Sequence, residues 1–320
     1  MASHPTRPFL RHVLAASTMN TTVLAAAAVA GVGAYALYLR RSSSGDSSGA
    51  AKASSSTQNG TFSRFGFKSL RLHSSEQVNH DTKRLRFALP DPDATSGLSL
   101  TSAVLTLSFP NGGWIPCLRP YTPVNELDEK GFLELMVKHY PGGKQSTHLH
   151  SLKPGDTLTF APLKGYAWTP NQHRHVALVA GGAGITPMYQ LMRGILRDPA
   201  DHTRITLVWG VNTDDDLFLR DELADLQRRF PGRLRTVYTV SRPVDGSPHR
   251  RGYVTRELLE SAGLGAGKGE DGDADSVTKV LVCGPPPMEK ALTGASGWGG
   301  KAAGGVLAEL GYTKDQIHRF

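Results

Sequence analysis

The sequence predicts a two-domain α/β protein behind an N-terminal transmembrane anchor: a small antiparallel β-barrel, then a parallel sheet with crossover helices. Three observations carry this. Residues 21–39 contain no charged side chain. Between residues 62 and 165, short alternating apolar runs follow one another with no long helix between them. From residue 174 onward, buried apolar runs alternate with helical stretches.

The first sixty residues stand apart from the rest. No acidic residue precedes Asp46, while Arg7 and Arg11 lie among small and hydroxylated residues. That bias suits a mitochondrial targeting segment over residues 1–20. The nineteen residues from 21 to 39 would span ~28 Å as a helix, close to a bilayer core of ~30 Å. Tyr35, Tyr38, Arg40 and Arg41 close that stretch as interface anchors. A leader that is cleaved off fits the same residues. Residues 40–61 are rich in Ser, Gly and Ala and read as a flexible tether.

Charge and cysteine content narrow the function classes. The net charge is +8, but residues 1–60 hold five basic groups against one acidic, leaving 31 basic and 27 acidic for the rest. The folded part is therefore only mildly basic, and it shows no nucleic-acid footprint. Its two cysteines, Cys117 and Cys283, sit in dissimilar contexts. Neither a disulfide framework nor an iron–sulfur or zinc site is expected. Electrons passing through such a chain would need an organic carrier.

In the barrel region, residues 67–72, 82–87, 103–109, 131–138 and 156–160 read as strands, with a short helix near 147–152. Two segments carry chemistry. Arg119, Pro120, Tyr121, Thr122 and Pro123 place a guanidinium and a flat hydroxylated ring on a stiffened segment, suited to a diphosphate and a ring system. A proline-bearing edge strand with an exposed Arg and a core Tyr is the alternative. Then Lys138 and Tyr140 lead through Gly142 and Gly143 to Lys144, Ser146 and Thr147, where backbone N–H groups and hydroxyls can cradle phosphates. A plain Pro-Gly-Gly turn is the alternative.

In the second region, residues 176–180, 205–210, Leu234–Val240 and Lys279–Cys283 read as parallel strands. Residues 187–197, 218–230 and 255–261 read as helices. The apolar run 176–180 ends in Gly181, Gly182 and Gly184, followed by Thr186 as a candidate N-cap and Pro187 at the first helical position. Strand, glycine turn and helix start suit the phosphates of a dinucleotide; an ordinary tight turn fits as well. No acidic residue follows at the spacing usual for such sites. The turn at 181–184, Ser241 with Arg242, and Cys283 with Gly284, Pro285, Pro286, Pro287 and Met288 all fall at strand carboxyl ends, where ligands of such sheets bind.

Taken in order, Arg119-Pro-Tyr-Thr, the Gly143 to Ser146 turn and the Gly181 to Pro187 turn resemble the ferredoxin-NADP reductase superfamily of flavoproteins. Cys283 to Met288 narrows the resemblance to the NADH–cytochrome b5 reductase branch, among the flavoprotein pyridine nucleotide cytochrome reductases. The N-terminal segment resembles that of the mitochondrial, fungal-type member. The resemblance covers residues 62–320.

It implies an FAD-binding barrel over residues 62–165 and an NAD(P)H-binding domain over residues 174–320. Arg119 would pair with the FAD pyrophosphate, with Pro120 aiming it. Tyr121 and Thr122 would lie against the ring and ribityl chain, and Val137, Lys138 and Tyr140 would line the same groove. Gly143, Lys144, Ser146 and Thr147 would close over the phosphates. The glycine turn with Thr186 and Pro187 would hold the coenzyme. Cys283, Gly284, Pro285, Pro286 and Met288 would shape the nicotinamide pocket, bordered by Phe320. Thr122 and Cys283 are the residues expected nearest the reacting atoms, Thr122 by hydrogen bonding to the flavin and Cys283 as a pocket thiol rather than a nucleophile. NADH is the expected coenzyme, with NADPH left open by Ser241, Arg242, Arg250 and Arg251.

The implied activity is electron transfer from NADH through FAD to cytochrome b5, on the mitochondrial outer membrane with the folded part facing the cytosol, or in the intermembrane space after processing. A related reductase with another acceptor and a non-catalytic tethered scaffold are the alternatives. Gln145 and Asn125 depart from the residues usual in the branch, and both are expected to loosen flavin contacts. The pairs His148/His150 and His173/His175 lack partner ligands, so no metal site is expected. Residues 263–276 read as a mobile insertion.

Overall fold

The computed structural model describes residues 60–62, 66–265, 277–294 and 304–320. The expected targeting segment and anchor, nearly all of the tether and most of the 263–276 insertion lie outside them. No helix of the described residues is long and apolar enough to cross a membrane.

Six antiparallel strands make the first sheet: β1 (Lys68–Gln77), β2 (Thr82–Ala88), β3 (Ala103–Ser108), β4 (Cys117–Tyr121), β5 (Phe132–Lys138) and β6 (Thr157–Leu163), in the order β4-β3-β6-β1-β2-β5. Period-two alternation turns Leu85 and Phe87 of β2, Leu133 and Leu135 of β5, and Leu158 and Phe160 of β6 into one core. Phe87 and Phe160 meet edge to face, with centroids 4.9 Å apart. Each such side chain contributes roughly 1.5–3 kcal/mol on burial. Pro120 lies on edge strand β4, where its missing N–H leaves no neighbouring strand without a donor.

The chain beyond β4 stitches that edge toward β5. Val124 N–H donates to Glu134 O at 2.9 Å. Asn125 Oδ1 accepts from Glu134 N–H at 2.9 Å, and its Nδ2 donates to Phe132 O at 3.2 Å. Asn125 thus has a structural role: its amide both accepts from and donates to the β5 backbone. Helix α1 (Lys144–Ser151) starts earlier than expected, directly after Gly143, and packs Leu149 into the barrel core.

The second sheet is parallel throughout. Its strands β7 (His175–Gly181), β8 (Arg204–Val211), β9 (Leu234–Val240), β10 (Arg250–Arg251), β11 (Lys279–Cys283) and β12 (Ile317–Arg319) lie in the order β10-β9-β8-β7-β11-β12. Helices α2 (Ile185–Arg197), α3 (Arg220–Arg229), α4 (Arg256–Ser261), α5 (Pro286–Thr293) and α6 (Val306–Glu309) accompany it. α2 and α3 bury Met188, Leu191, Met192 and Leu223 with Leu178 and Trp209 on one face. Leu258, Leu259, Leu292 and Leu307 pack against Val179, Val208 and Val280 on the other. Val124 and Met136 of the barrel join the first of these cores, so the two domains share apolar packing.

The chain winds from β7 through β8 and β9 to one edge, then returns to add β11 and β12 on the other side of β7. The order therefore reverses between β7 and β11, and a crevice opens at the carboxyl ends there. The register pairs Ala180 with Cys283, which brings the glycine turn beside the Cys-Gly-Pro segment.

Two details differ from expectation. α2 begins at Ile185, after a 3₁₀ turn over Gly182–Gly184. Thr186 is therefore inside the first turn rather than capping it, and its hydroxyl donates to Ala183 O at 3.2 Å. Pro187 falls third in the helix, where a missing N–H still costs no intrahelical bond. Pro286 and Pro287 open a further helix, α5, that is not among those read from the sequence, after Pro285 at the N-cap.

Candidate functional site: a cleft shared by two domains

The barrel wall of the crevice comes from β4, β5 and the start of α1. Arg119 is exposed and donates Nη1–H to Leu118 O at 2.8 Å, and it forms no ion pair with the described residues. Most of its donors are left for an anion. Tyr121 is half-buried, and burial, reinforced by Cys117 and Tyr140, holds its phenol un-ionised well above the usual range. Thr122 is buried at the cleft wall.

At the start of α1, Ser146 Oγ donates to Gly143 O at 3.1 Å and accepts from Tyr140 N–H at 3.1 Å. It braces the turn that aims the first N–H groups of the helix into the cleft. Gly143 is needed there, since a Cβ would lie 2.7 Å from Ser146 Oγ and 3.0 Å from Tyr140 O. The buried Gln145 is satisfied on both ends: Nε2 donates to Thr106 Oγ1 at 2.8 Å, and Oε1 accepts from Ser108 Oγ at 2.6 Å. Two hydroxyls on β3 thus offset this polar departure, instead of leaving a loosened wall.

The facing wall is the glycine turn against the 283–288 segment. A Cβ on Gly184 would stand 2.2 Å from Cys283 O, and one on Gly181 would meet Met288 Sδ at 2.7 Å and Pro285 Cδ at 2.8 Å. Gly182 has φ +51°, with only Tyr140 Oη nearby, at 3.9 Å. Two of the three glycines are therefore required by the close approach of two protein segments, and the third by a left-handed backbone. Burial pushes the Cys283 thiol up to about 12, with Glu289 adding to it. It is a neutral wall of the pocket.

Together these residues line a cleft of about 800 Å³, which Thr101, Lys164, His318, Arg319 and Phe320 complete. A second lobe of about 380 Å³ continues past Gly181 and Gly182 to Gly210, Asn212 and Tyr253, with Pro287 and Met288 on its wall. Lys138 and Tyr140 border both lobes. The fit to two dinucleotides is physical: two helix N-termini, of α1 and α2, open into one crevice from opposite walls, each behind a glycine turn, with an apolar slot between them. FAD fits the Arg119 and α1 side, and a nicotinamide dinucleotide fits the α2 and Cys283 side.

The structure thus gathers Arg119, Pro120, Tyr121, Thr122, Lys138, Tyr140, Gly143, Lys144, Ser146, Gly181, Gly184, Thr186, Pro187, Cys283, Gly284, Pro285 and Pro286 into one cleft, and Gly182 and Met288 into its second lobe. Two expected residues fall outside. The Val137 side chain is fully buried in the barrel core, because alternation along β5 gives the cleft to Met136 and Lys138. Thr147 is exposed on the outer side of α1, its Oγ1 3.2 Å from His139 Nε2.

Lys138 does more than line the cleft. Its ammonium bonds Asp81 of the barrel and, at 2.6 Å, Asp216 Oδ1 of the parallel-sheet domain. His80 Nε2 lies 3.4 Å and 3.5 Å from the same two carboxylates. This trio of ligand-type side chains is thus already served by an internal cation. Asp81 and Asp216 carried no local sequence signal as partners, since they lie far from Lys138 in the chain.

Fold and cleft define an oxidoreductase of the ferredoxin-NADP reductase type, with one domain for FAD and one for a nicotinamide dinucleotide. Residues 69–167 match the oxidoreductase FAD-binding domain family, and residues 178–293 the oxidoreductase NAD-binding domain family. NADH-cytochrome b5 reductase 2 of Pyricularia oryzae is 48% identical over 258 residues, covering 80% of this chain and 76% of that protein. Its namesake in Emericella nidulans is 45% identical over 259 residues, covering 80% and 78%. The chain belongs to the NADH–cytochrome b5 reductase family. Among solved structures, the cytochrome b5 reductase domain of Ulva prolifera nitrate reductase superposes with a TM-score of 0.66 at 28% identity, covering 80% of this chain and 97% of that one. Phthalate dioxygenase reductase shares the fold, with a TM-score of 0.56 at 19% identity, covering 80% and 68%.

Proposed function

We propose that this protein carries electrons from NADH through FAD to a cytochrome b5. The observation that carries the reading is the convergence of Arg119 to Thr122 with the glycine turn and Cys283 on one cleft. When bound, FAD supplies the conversion of a two-electron hydride donor into single electrons for a haem. The chain's own share is alignment and shielding. Arg119 and the first turn of α1 neutralise one diphosphate, and the first turn of α2 takes the other. Tyr121 and Thr122 present a flat face and a hydroxyl from the barrel. Cys283, Pro285 and Phe320 shape the opposite wall and keep water out. No side chain is needed as acid, base or nucleophile, in keeping with a thiol that stays neutral. Thr122 would offer its hydroxyl to the bound flavin, and Thr122→Ala is expected to slow flavin reduction.

The test is stopped-flow reduction of the flavin-loaded protein by NADH, followed by mixing with cytochrome b5. Rapid flavin bleaching and then haem reduction support the reading; bleaching without haem reduction would assign another acceptor.

We further propose that residues 21–39 anchor the chain in the mitochondrial outer membrane, with the folded part facing the cytosol, and that processing yields an intermembrane-space form. The uncharged span with Arg40 and Arg41 beyond it supports this. Carbonate extraction and protease protection of isolated mitochondria test it. Release by carbonate would remove the anchor.

A further inference from the structure

The glycine turn is held from beneath by a side chain outside the cleft. Trp209, on β8, is fully buried and lines neither lobe. Its indole Nε1–H donates to Gly182 O at 3.0 Å. The register sets Trp209 beside Ala180, a small neighbour over which the indole reaches the turn that ends β7. Phe218 and Tyr238 make T-shaped contacts with the indole, at centroid distances of 5.5 Å and 6.3 Å. These contacts fix the orientation of the ring and the direction of its N–H.

That bond decides where the next amide points. A trans peptide is planar, so its C=O and its N–H lie on opposite sides. With Gly182 O turned inward to Trp209, the Ala183 N–H is turned outward, and Ala183 lines the cleft. Tyr140 registers this direction: burial raises its phenol, and the Ala183 N–H is among the groups that act against the rise.

Gly182 O also accepts from the Ile185 N–H within the 3₁₀ turn. That bond alone is a weak hold. A 3₁₀ bond has poorer geometry than an α-helical one, and glycine admits a flipped peptide at little steric cost. Trp209 adds a second anchor from a central strand. A carbonyl that accepts this bond is also more polarised, which strengthens the N–H of the same peptide as a donor.

We infer that Trp209 is a positioning residue for the coenzyme: its indole N–H orients the Gly182–Ala183 peptide so that the Ala183 N–H meets a diphosphate oxygen of the nicotinamide dinucleotide. The inference rests on the reading that the glycine turn holds that diphosphate.

The test exchanges Trp209 for benzothienylalanine, which keeps the shape of the indole and replaces its N–H by sulfur, in the flavin-loaded full chain. Calorimetric titration with NAD⁺ and with ADP-ribose, which both carry the diphosphate, should show binding weakened roughly three- to tenfold, the worth of one net hydrogen bond. KM for NADH should rise by the same factor while kcat stays within about twofold, the mark of lost binding rather than lost chemistry. Trp209→Phe, which also loses packing, should weaken both ligands at least as much. Leu223→Ala, which loosens the same apolar core, should lower the melting temperature and leave KM for NADH unchanged. Unaltered binding in the benzothienylalanine protein would overturn the inference, as would a rise in KM in Leu223→Ala equal to that in Trp209→Phe. If the wild-type protein binds neither ligand and NADH fails to bleach its flavin, the coenzyme reading itself falls, and the inference with it.

Discussion

Lys138 reaches across the domain boundary to Asp216, its ammonium 2.6 Å from Oδ1, while the same nitrogen bonds Asp81 in its own domain. Both ends of the cross-domain pair are nearly closed off from solvent, at 9% and 5% side-chain exposure. Removing one partner strands the other, so Lys138→Met is expected to lower stability by about 3–5 kcal/mol. The pH dependence follows from both partners. Burial pulls the Lys138 ammonium down, but bonds from Asp216 and Asp81 outweigh it and leave a net rise. Its contribution is therefore complete below the ordinary lysine range and lost as pH rises through the folded value. For Asp216, burial acts upward, but Lys138 and Thr213 hold the carboxyl below its usual range. That contribution is present above the ordinary carboxylate range and lost as pH falls through the folded value. Urea unfolding should show the widest gap between wild type and Lys138→Met from about pH 5 to 9, closing toward about pH 3. A gap that stays constant down to pH 3 would contradict the clamp.

The glycines of the 181–184 turn are not equivalent. Gly184→Ala would drive a Cβ into the Cys283 carbonyl, which as backbone cannot step aside without parting β7 from β11. Gly182→Ala meets a left-handed φ and only an ordinary contact with Tyr140 Oη at 3.9 Å, a penalty of about 1–2 kcal/mol. Gly184→Ala is therefore expected to lose more stability than Gly182→Ala and to weaken NADH binding with it. Melting temperatures and NADH titrations of the two variants would check the ranking, and equal effects would refute it.

The segments that proved legible in the sequence are those whose meaning is contiguous. Residues 119–122, 181–187 and 283–288 each carry a local pattern of glycine, proline and one polar group, and the topology needed only to bring them together. Partnerships across the chain left no such pattern. Nothing near Lys138 points to Asp216, nothing near Gln145 points to Thr106 and Ser108, and nothing near Asn125 points to Glu134. Val137 is expected at the groove from the resemblance alone, and the almost continuous apolar run of β5, buried on both faces, gives no clear strand period to turn it inward. Thr186 before Pro187 imitates an N-cap, and only the 3₁₀ entry through Gly182–Gly184 moves the helix start forward. Strands of two and three residues, β10 and β12, are too short to show any period.

The Cys283 thiol gives a direct reactivity prediction. With its ionisation pushed up to about 12 by burial, the reactive thiolate is scarce throughout the neutral range. Iodoacetamide at pH 8 should alkylate Cys283 in the native protein at least about tenfold more slowly than in the urea-unfolded chain. Peptide mapping by mass spectrometry reads both rates. Cys283→Ser should retain flavin reduction by NADH, since the thiol acts as wall and not as nucleophile; a complete loss would mean that it reacts.

Phe320 is held at the cleft by a short stack of rings. Its N–H donates to Val282 O at 3.1 Å, extending β12 along β11. Its ring meets His318 edge on, with centroids 5.0 Å apart, and His318 lies 4.7 Å from Tyr166 in the segment between the domains. Tyr166 is fixed in turn by its hydroxyl, 2.9 Å from His173 Nε2, and by its carbonyl, which accepts from Thr101 Oγ1. The position of Phe320 therefore depends on a chain of contacts that starts at the domain junction. An aromatic pair of this kind contributes about 0.5–1.5 kcal/mol, so His318→Ala should raise KM for NADH roughly two- to tenfold with a smaller change in kcat. His318→Phe should restore KM, because it keeps the stack. Burial, with Lys279 nearby, holds the His318 imidazole below its usual range. Its contribution is present above the ordinary histidine value and lost as pH falls through the folded one. KM for NADH should accordingly rise on acidification below about pH 6 in the wild type and less so in His318→Phe. Deletion of Phe320 with unchanged KM and kcat would remove the ring from the coenzyme site.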